Sequence, residues 1–402
     1  MNRRLAFVLH DLTPWEGHSR STLEIARRLS RDVGVDLYSF TFFDAGLGQP
    51  ERAAGWGDAR WFHIRPDIRK PFPLRASLFY LHTALLTGAL PGWSRERRPL
   101  IHATGACTLI SDVVQVQFLH AAWKAARAKH PHLAFPGSTA KAALRRLYHR
   151  GVSEFDIATE KLAYTKTKTY IAIAEVVKRE LQEYYGIHDN VHVIHHGVDP
   201  VHFKPADNAA AVRVLRSELD LPHDKIIIAF VGALERKGLG AAIEAWAKLS
   251  PGSRAKAVLL AVGGGQTGAF QEQARRAGVA DSVIFKGHTK DIRKVYQASD
   301  AFLLPTLYEP FGMVITEAMA CGLPPIVTKL AGASELISDG TDGLLLGDPA
   351  DTSAIAACLT RVIENEDERK NLKREARRTA ERYTWDHAAK KYAGVLYPLL
   401  GI

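Results

Sequence analysis

The sequence predicts an α/β fold: two domains, each a doubly wound parallel sheet with helices on both faces. Three observations carry that prediction. Short runs recur that are apolar throughout and too short for helices, as strands buried on both faces are. Between them lie segments with apolar residues at helical spacing, and strand–helix alternation builds a parallel sheet. The alternation stops over residues 206–224, which are polar, lack a strand pattern and read as the connection between the domains, and restarts at Ile226. At 402 residues and 47% hydrophobic, the chain can build two or three domains with ample cores.

Residues 5–9 read as the first strand, 21–29 as a helix and 35–40 as the second strand. Residues 61–64, 100–103, 113–119 and 170–174 supply further strands, with helical patterns over 76–86 and 176–185. The second alternation opens with a strand at 226–231 and a helix at 241–249. A strand at 256–262, a strand and turn over 283–288 and the strand 302–304 follow. Residues 335–346 read as helix end, turn and strand, and three charged helical stretches finish the chain. Ligands of such sheets bind beyond the carboxyl ends of the strands, so the turns there are where chemistry is sought.

Composition narrows the function. Cys107, Cys321 and Cys358 stand at unrelated spacings, which suits neither a disulfide framework nor a metal site. The apolar run 5–9 is too short for a cleavable signal and Asp11 follows it, and no stretch approaches the roughly 18 residues of a membrane span. A cytoplasmic protein is expected, peripheral at most on the inner face of the plasma membrane. The formal charge of +10 points to an anionic partner: a phospholipid surface, a polyanionic acceptor or a nucleic acid.

The densest chemical signal is the run 309–317, Glu-Pro-Phe-Gly-Met-Val-Ile-Thr-Glu, directly after the strand 302–304 and its turn. Pro310 suits a first helical position, and Gly322 with Pro324 and Pro325 marks the helix end. Free N–H groups at such a start (Phe311, Gly312 and Met313, with Val314 behind them) form a seat for a diphosphate. Glu309 then reaches hydroxyls at the phosphate's outer end, and Glu317 accepts from vicinal hydroxyls such as those of a ribose. The plain alternative makes Glu309 a helix-start charge and Glu317 a solvated helix residue.

Glu, seven residues, Glu, with Phe-Gly inside and Glu-Ala-Met-Ala-x-Gly-x-Pro after, resembles the signature of retaining GT4-type glycosyltransferases. The resemblance implies the GT-B architecture, two Rossmann-like domains facing across a cleft. Residues 1–205 would be the acceptor domain, 206–382 the nucleotide-sugar domain and 383–402 a helix crossing back to the first. It further implies a nucleoside diphosphate sugar as substrate, a UDP-sugar first among them, with no cofactor and no metal.

The remaining landmarks are similar to the family's in varying degree. Residues 226–238 run Ile-Ile-Ile-Ala-Phe-Val-Gly-Ala-Leu-Glu-Arg-Lys-Gly. The family often has arginine after the first glycine, Gly232, where this chain has Ala233; Arg236 takes that task, as in enzymes resembling lipopolysaccharide core glucosyltransferases. Arg236 and Lys237 would hold the diphosphate and neutralise the leaving group. The glycine run 263–265 alone is a weak nucleotide signal, and the family resemblance nominates Gly287 and His288 beside the base. Gly17, followed by His18 where the family has a second glycine, is a donor-site candidate or a plain turn glycine. His120 ends the strand 113–119 as a histidine does in similar enzymes, where it faces the transferred sugar; it is otherwise a strand cap. The same reading has it donate to a sugar hydroxyl and steady the anomeric carbon through its carbonyl. His102 reads as structural. Residues 191–205 are similar to a family landmark in which His196 replaces an asparagine, and 383–385 is similar to the start of the family's last helix.

Residues 121–168 hold ten basic residues against three acids, Glu154, Asp156 and Glu160, with aromatic and apolar residues between. Such a segment suits an anionic membrane surface, or is a helix pair with a solvated face. It sits on the domain that the resemblance gives to the acceptor, so a glycan or lipid-linked acceptor is expected. The function expected is retaining sugar transfer in cell-envelope glycan or glycolipid synthesis. An epimerase of the same architecture is the first rival. A nucleic-acid-binding protein rests on charge alone and lacks the relevant signatures, so no nucleic acid is expected.

Overall fold

The computed structural model describes residues 3–13, 16–42, 56–65, 72–87, 98–129, 140–265 and 267–402. The chain divides into two compact units: Met1–Lys124, Ser138–Gly197 and Trp385–Ile402 form the first, Ala125–Gly137 and Val198–Thr384 the second.

The first unit is built on seven strands: β1 (Leu5–Val8), β2 (Val35–Ser39), β3 (Ala59–His63), β4 (Leu100–Thr104), β5 (Val113–Val116), β6 (Thr169–Ala172) and β7 (Val191–Val193). Their order is β3-β2-β1-β4-β5-β6-β7, every pair parallel. Among the described residues its helices are α1 (Gly17–Leu29), α2 (Phe72–Leu86), α3 (His120–Lys129, which begins in this unit and whose residues from Ala125 on count with the second), α4 (Ala140–Tyr164) and α5 (Glu175–Tyr185). β1, β4 and β5 are buried at every position, which is why their sequences are apolar runs rather than alternations. His102 lies wholly buried on β4, its ring against Phe7 and Tyr392, in keeping with a structural part.

Among the described residues the second unit has six strands: β8 (Ile226–Val231), β9 (Ala257–Val262), β10 (Val283–Lys286), β11 (Ala301–Leu304), β12 (Pro325–Thr328) and β13 (Leu344–Leu346). Their order is β10-β9-β8-β11-β12-β13, again parallel throughout. Strand order reverses between β8 and β11, the kind of point at which open α/β sheets bind ligands. Helices α6 (Ala209–Glu218), α7 (Leu239–Ala247), α8 (Pro251–Lys256), α9 (Thr267–Arg276), α10 (Ile292–Gln297), α11 (Met313–Ala320), α12 (Thr352–Glu364) and α13 (Glu366–Arg382) complete it. The last helix, α14 (Trp385–Leu400), belongs to the first unit, where Tyr397 donates to Asp32 at 2.9 Å and Arg28 to Asp386 at 2.5 Å.

Three sequence expectations are corrected. Residues 206–224 are not a bare connection: Asn208 caps α6 by accepting from the Ala211 N–H at 2.9 Å. Arg216 of that helix is buried against Asp300 at 2.7 Å, which ties the segment into the second unit. β5 stops at Val116, so His120 opens α3 instead of ending a strand. The helix after β11 starts at Met313, three residues beyond Pro310.

Candidate functional site

Two loops meet at the reversal point of the second sheet. The first leaves β8 at Gly232, whose φ of +130° suits glycine. A Cβ there would lie 2.5 Å from Lys237 Cδ and 2.8 Å from its Nζ, so the missing side chain is the trough in which Lys237 lies. The second loop leaves β11 and carries Glu309. Arg236 joins the two, accepting from the Leu307 N–H through its carbonyl and donating through Nη1 to the Tyr308 carbonyl at 2.9 Å. Gly332 N–H donates to the Glu309 carbonyl at 2.9 Å, and Ala333 N–H to that of Phe311 at 2.7 Å, which pins the loop's far side.

These loops bring Glu309, Arg236 and Lys237 together. One oxygen, Glu309 Oε2, lies 3.3 Å from Arg236 Nη1 and 3.3 Å from Lys237 Nζ. The side chains of Glu309 and Lys237 are only 12% and 9% exposed. Burial alone would raise the Glu309 carboxyl's pKa, but the charges of Lys237 and Arg236 outweigh it and hold the value below the ordinary range. The cations exceed the carboxylate by one charge in a partly desolvated place, which suits an incoming anion.

The head of α11 stands beside them. Gly312 is its N-cap at φ +93°, a conformation that costs glycine little. Ile315 N–H already donates back to the Gly312 carbonyl at 2.8 Å. The first-turn N–H groups of Met313 and Val314 have no acceptor within their own helix, as at any helix start. Of the expected donors, Gly312 is the cap of α11, Met313 and Val314 lie in its first turn, and Phe311 is only 2% exposed.

Glu317 is 3% exposed, which rules out the solvated alternative; the Tyr296 hydroxyl donates to its Oε2 at 3.2 Å. Gly287 and His288 line a recess of about 320 Å³ with Val262, Lys286, Thr289 and Lys290, and the His288 ring packs on the backbone of Gly264. That recess does not include Glu309, Arg236 or Lys237 in its lining.

The two other candidates belong to the first unit. Gly17 is exposed as the first residue of α1. His120 heads α3, and both its ring nitrogens face carboxylates: Nδ1 is 2.6 Å from Glu160 Oε1 and Nε2 is 3.4 Å from Asp156 Oδ2. Sequence reading missed this cage, counting both acids as minor members of a basic segment. Their spacing of four on one helix was the available signal. His196 is buried, its Nε2 3.0 Å from Gln117 Oε1, and burial pushes its pKa down to about 3.

Among the described residues no helix is long and apolar enough to cross a membrane. Residues 15–202 match the family described as Glycosyltransferase Family 4, and residues 211–379 the one described as Glycosyl transferases group 1. A D-inositol 3-phosphate glycosyltransferase of Acidothermus cellulolyticus is 34% identical over 230 residues, 54% of this chain and 50% of that one. The chain spans about half to two thirds of the length of the curated relatives it matches. The fold is similar to that of WaaG, a glycosyltransferase involved in lipopolysaccharide biosynthesis, with a TM-score of 0.75 at 20% identity over 97% of this chain and 99% of that one. It is also similar to that of Anabaena HepE in complex with UDP and glucose, with a TM-score of 0.71 at 20% identity over 98% and 99%. Two parallel-sheet units, the paired glutamates and both family matches place the chain in the GT4 family of glycosyltransferases, with the GT-B fold.

Proposed function

We propose that the chain transfers a sugar from a nucleoside diphosphate sugar to an acceptor hydroxyl, retaining the anomeric configuration. One observation carries this reading: Glu309, Arg236 and Lys237 converge beside the head of α11 at the sheet's reversal point. In it Met313 and Val314 donate to the diphosphate. Arg236 and Lys237 neutralise it as it leaves, which is stabilisation where charge develops. Glu309 exchanges its ion pairs for sugar hydroxyls, Glu317 holds the ribose, and Gly287 and His288 flank the base. Gly17 and His120 remain proposed site residues within the first unit. The departing phosphate takes the acceptor's proton, so no metal and no covalent enzyme intermediate is required. UDP is the first choice of nucleotide, since the similarly folded HepE was solved with UDP.

The acceptor is proposed to be a glycan or lipid-linked hydroxyl, used at the inner face of the plasma membrane in envelope glycan or glycolipid synthesis. The relatives' printed names offer an inositol phosphate and a lipopolysaccharide as models. The family matches give the epimerase alternative no support. Thermal-shift screening of nucleotide sugars tests the donor, because a ligand at about 100 times its Kd adds about 2.7 kcal/mol. Stabilisation by UDP-sugars but not by free sugars is expected; no shift with any nucleotide sugar overturns the reading.

A further inference from the structure

Helix α4 sets a carboxylate at each ring nitrogen of His120. Asp156 and Glu160 lie one turn apart, so both project from the same face. Glu160 is 3% exposed and fully engaged: it meets Nδ1 at 2.6 Å, accepts from the His120 backbone N–H at 3.1 and 3.2 Å, and accepts from the Tyr185 hydroxyl on α5. Asp156 Oδ2 lies 3.4 Å from Nε2. A neutral imidazole carries a single N–H and can serve only one of two ionised carboxylates; the doubly protonated ring serves both.

We propose that Glu160 and Asp156, steadied by Tyr185, are positioning residues that hold His120 as a fixed imidazolium, so that it acts as a permanent positive charge and not as a base. This rests on the reading above, in which His120 is a site residue. It gives the ring a charge as its part beside the expected donation to a sugar hydroxyl: Nδ1 is hydrogen-bonded to Glu160, and Nε2 lies 3.4 Å from Asp156. A cation at a helix head opposes the helix dipole, which explains why one of the two acids also caps α3. Burial alone would lower the imidazole's pKa, but Glu160's hydrogen bond and charge, with Asp156's charge, raise it. Burial raises the Asp156 carboxyl to about 6 against the pull of His120. Among the described residues, the polar groups nearby include Tyr80 on α2, which donates to the Ala106 carbonyl, Thr159 beside it, and Lys124 on α3, which pairs with Glu154. Among the described residues no group of three His, Cys, Asp or Glu side chains is placed to hold a metal ion.

The test is ring-nitrogen NMR on the full chain labelled with ¹⁵N-histidine, His120 being identified by its loss in His120→Gln. Two protonated nitrogens at pH 7 are expected, with a midpoint above the ordinary ~6.5. Glu160→Gln should lower that midpoint by about one unit or more, and Asp156→Asn by less. A singly protonated ring at pH 7, or a midpoint that Glu160→Gln leaves in place, overturns the proposal. Should Glu160→Gln fail to fold, Asp156→Asn and Tyr185→Phe must still lower the midpoint. With UDP-glucose as probe and UDP release as readout, Glu160→Gln should reduce kcat at least about tenfold with KM little changed, and Glu160→Asp should restore part of it. Unchanged kcat beside a shifted midpoint overturns the positioning role. No UDP release from the wild type counts against UDP-glucose as the donor, and the ring measurement then decides the anchor by itself.

Discussion

Lys237 lies over a residue that has no side chain, and that contact ties a backbone choice to chemistry. Its ammonium faces Glu309 because Gly232 leaves room along its aliphatic stem. Gly232→Ala should therefore behave like Lys237→Ala in turnover, since a Cβ 2.8 Å from Nζ must displace it. Lys237→Ala and Glu309→Gln are each expected to lower kcat by about 10²–10³-fold, the usual loss when one preorganised charge partner is removed. Steady-state rates beside melting curves check this. Near-normal turnover in both variants would refute the assigned roles, whereas loss of turnover with an intact melting transition supports them. In the proposed role Glu309 positions the sugar, so the amide, which keeps the shape, isolates the charge.

At the scale of elements, α3 and α4 are joined by the His120 cage, and its stability depends on pH in a direction that can be worked out. The imidazole's pKa is raised in the fold, so the interaction contributes fully below the ordinary imidazole value and is lost as pH rises through the raised one. Asp156, raised by burial, also favours the folded state more at low pH. The melting temperature of the wild type should thus exceed that of Glu160→Gln by more at pH 6 than at pH 9, as calorimetry at the two pH values would show. A gap that widens with pH would contradict the charged ring. The sequence disclosed some of these elements and hid others for physical reasons. β11, its turn and the paired glutamates were legible because strand, glycine and carboxylates are neighbours in the chain. The start of α11 was misplaced because Pro310 offers a local signal that Gly312, left-handed, overrides as cap. The Tyr296–Glu317 contact spans 21 residues and the His120–Glu160 contact 40, and no local pattern encodes either. The cap at Asn208 was written in the sequence yet passed over because the segment was read for a strand pattern, which it lacks; Asn208→Ala should cost about 1 kcal/mol in chemical denaturation.

For the whole molecule, the formal charge of +10 suits an anionic partner or surface. Charge alone would serve a nucleic acid as well as a membrane, but α2 adds an apolar element. Leu74, Leu81 and Leu85 recur at spacings of seven and four, hence on one helical face, and are 46%, 54% and 51% exposed. The helix carries no acidic residue. An apolar stripe on a strongly basic chain suits an anionic lipid interface, where buried apolar area and attraction to the headgroups act together. The two contributions separate by salt. Raising ionic strength from about 0.1 M to about 1 M shortens the reach of charge from ~10 Å to ~3 Å and leaves leucine burial in place. Full-length protein should float with vesicles containing anionic phospholipid more than with neutral ones, and high salt should remove most of the difference. Leu81→Ser with Leu85→Ser should weaken what persists at high salt. Equal recovery on neutral and anionic vesicles would discard the electrostatic half of the argument, and a serine pair without effect would discard the apolar half.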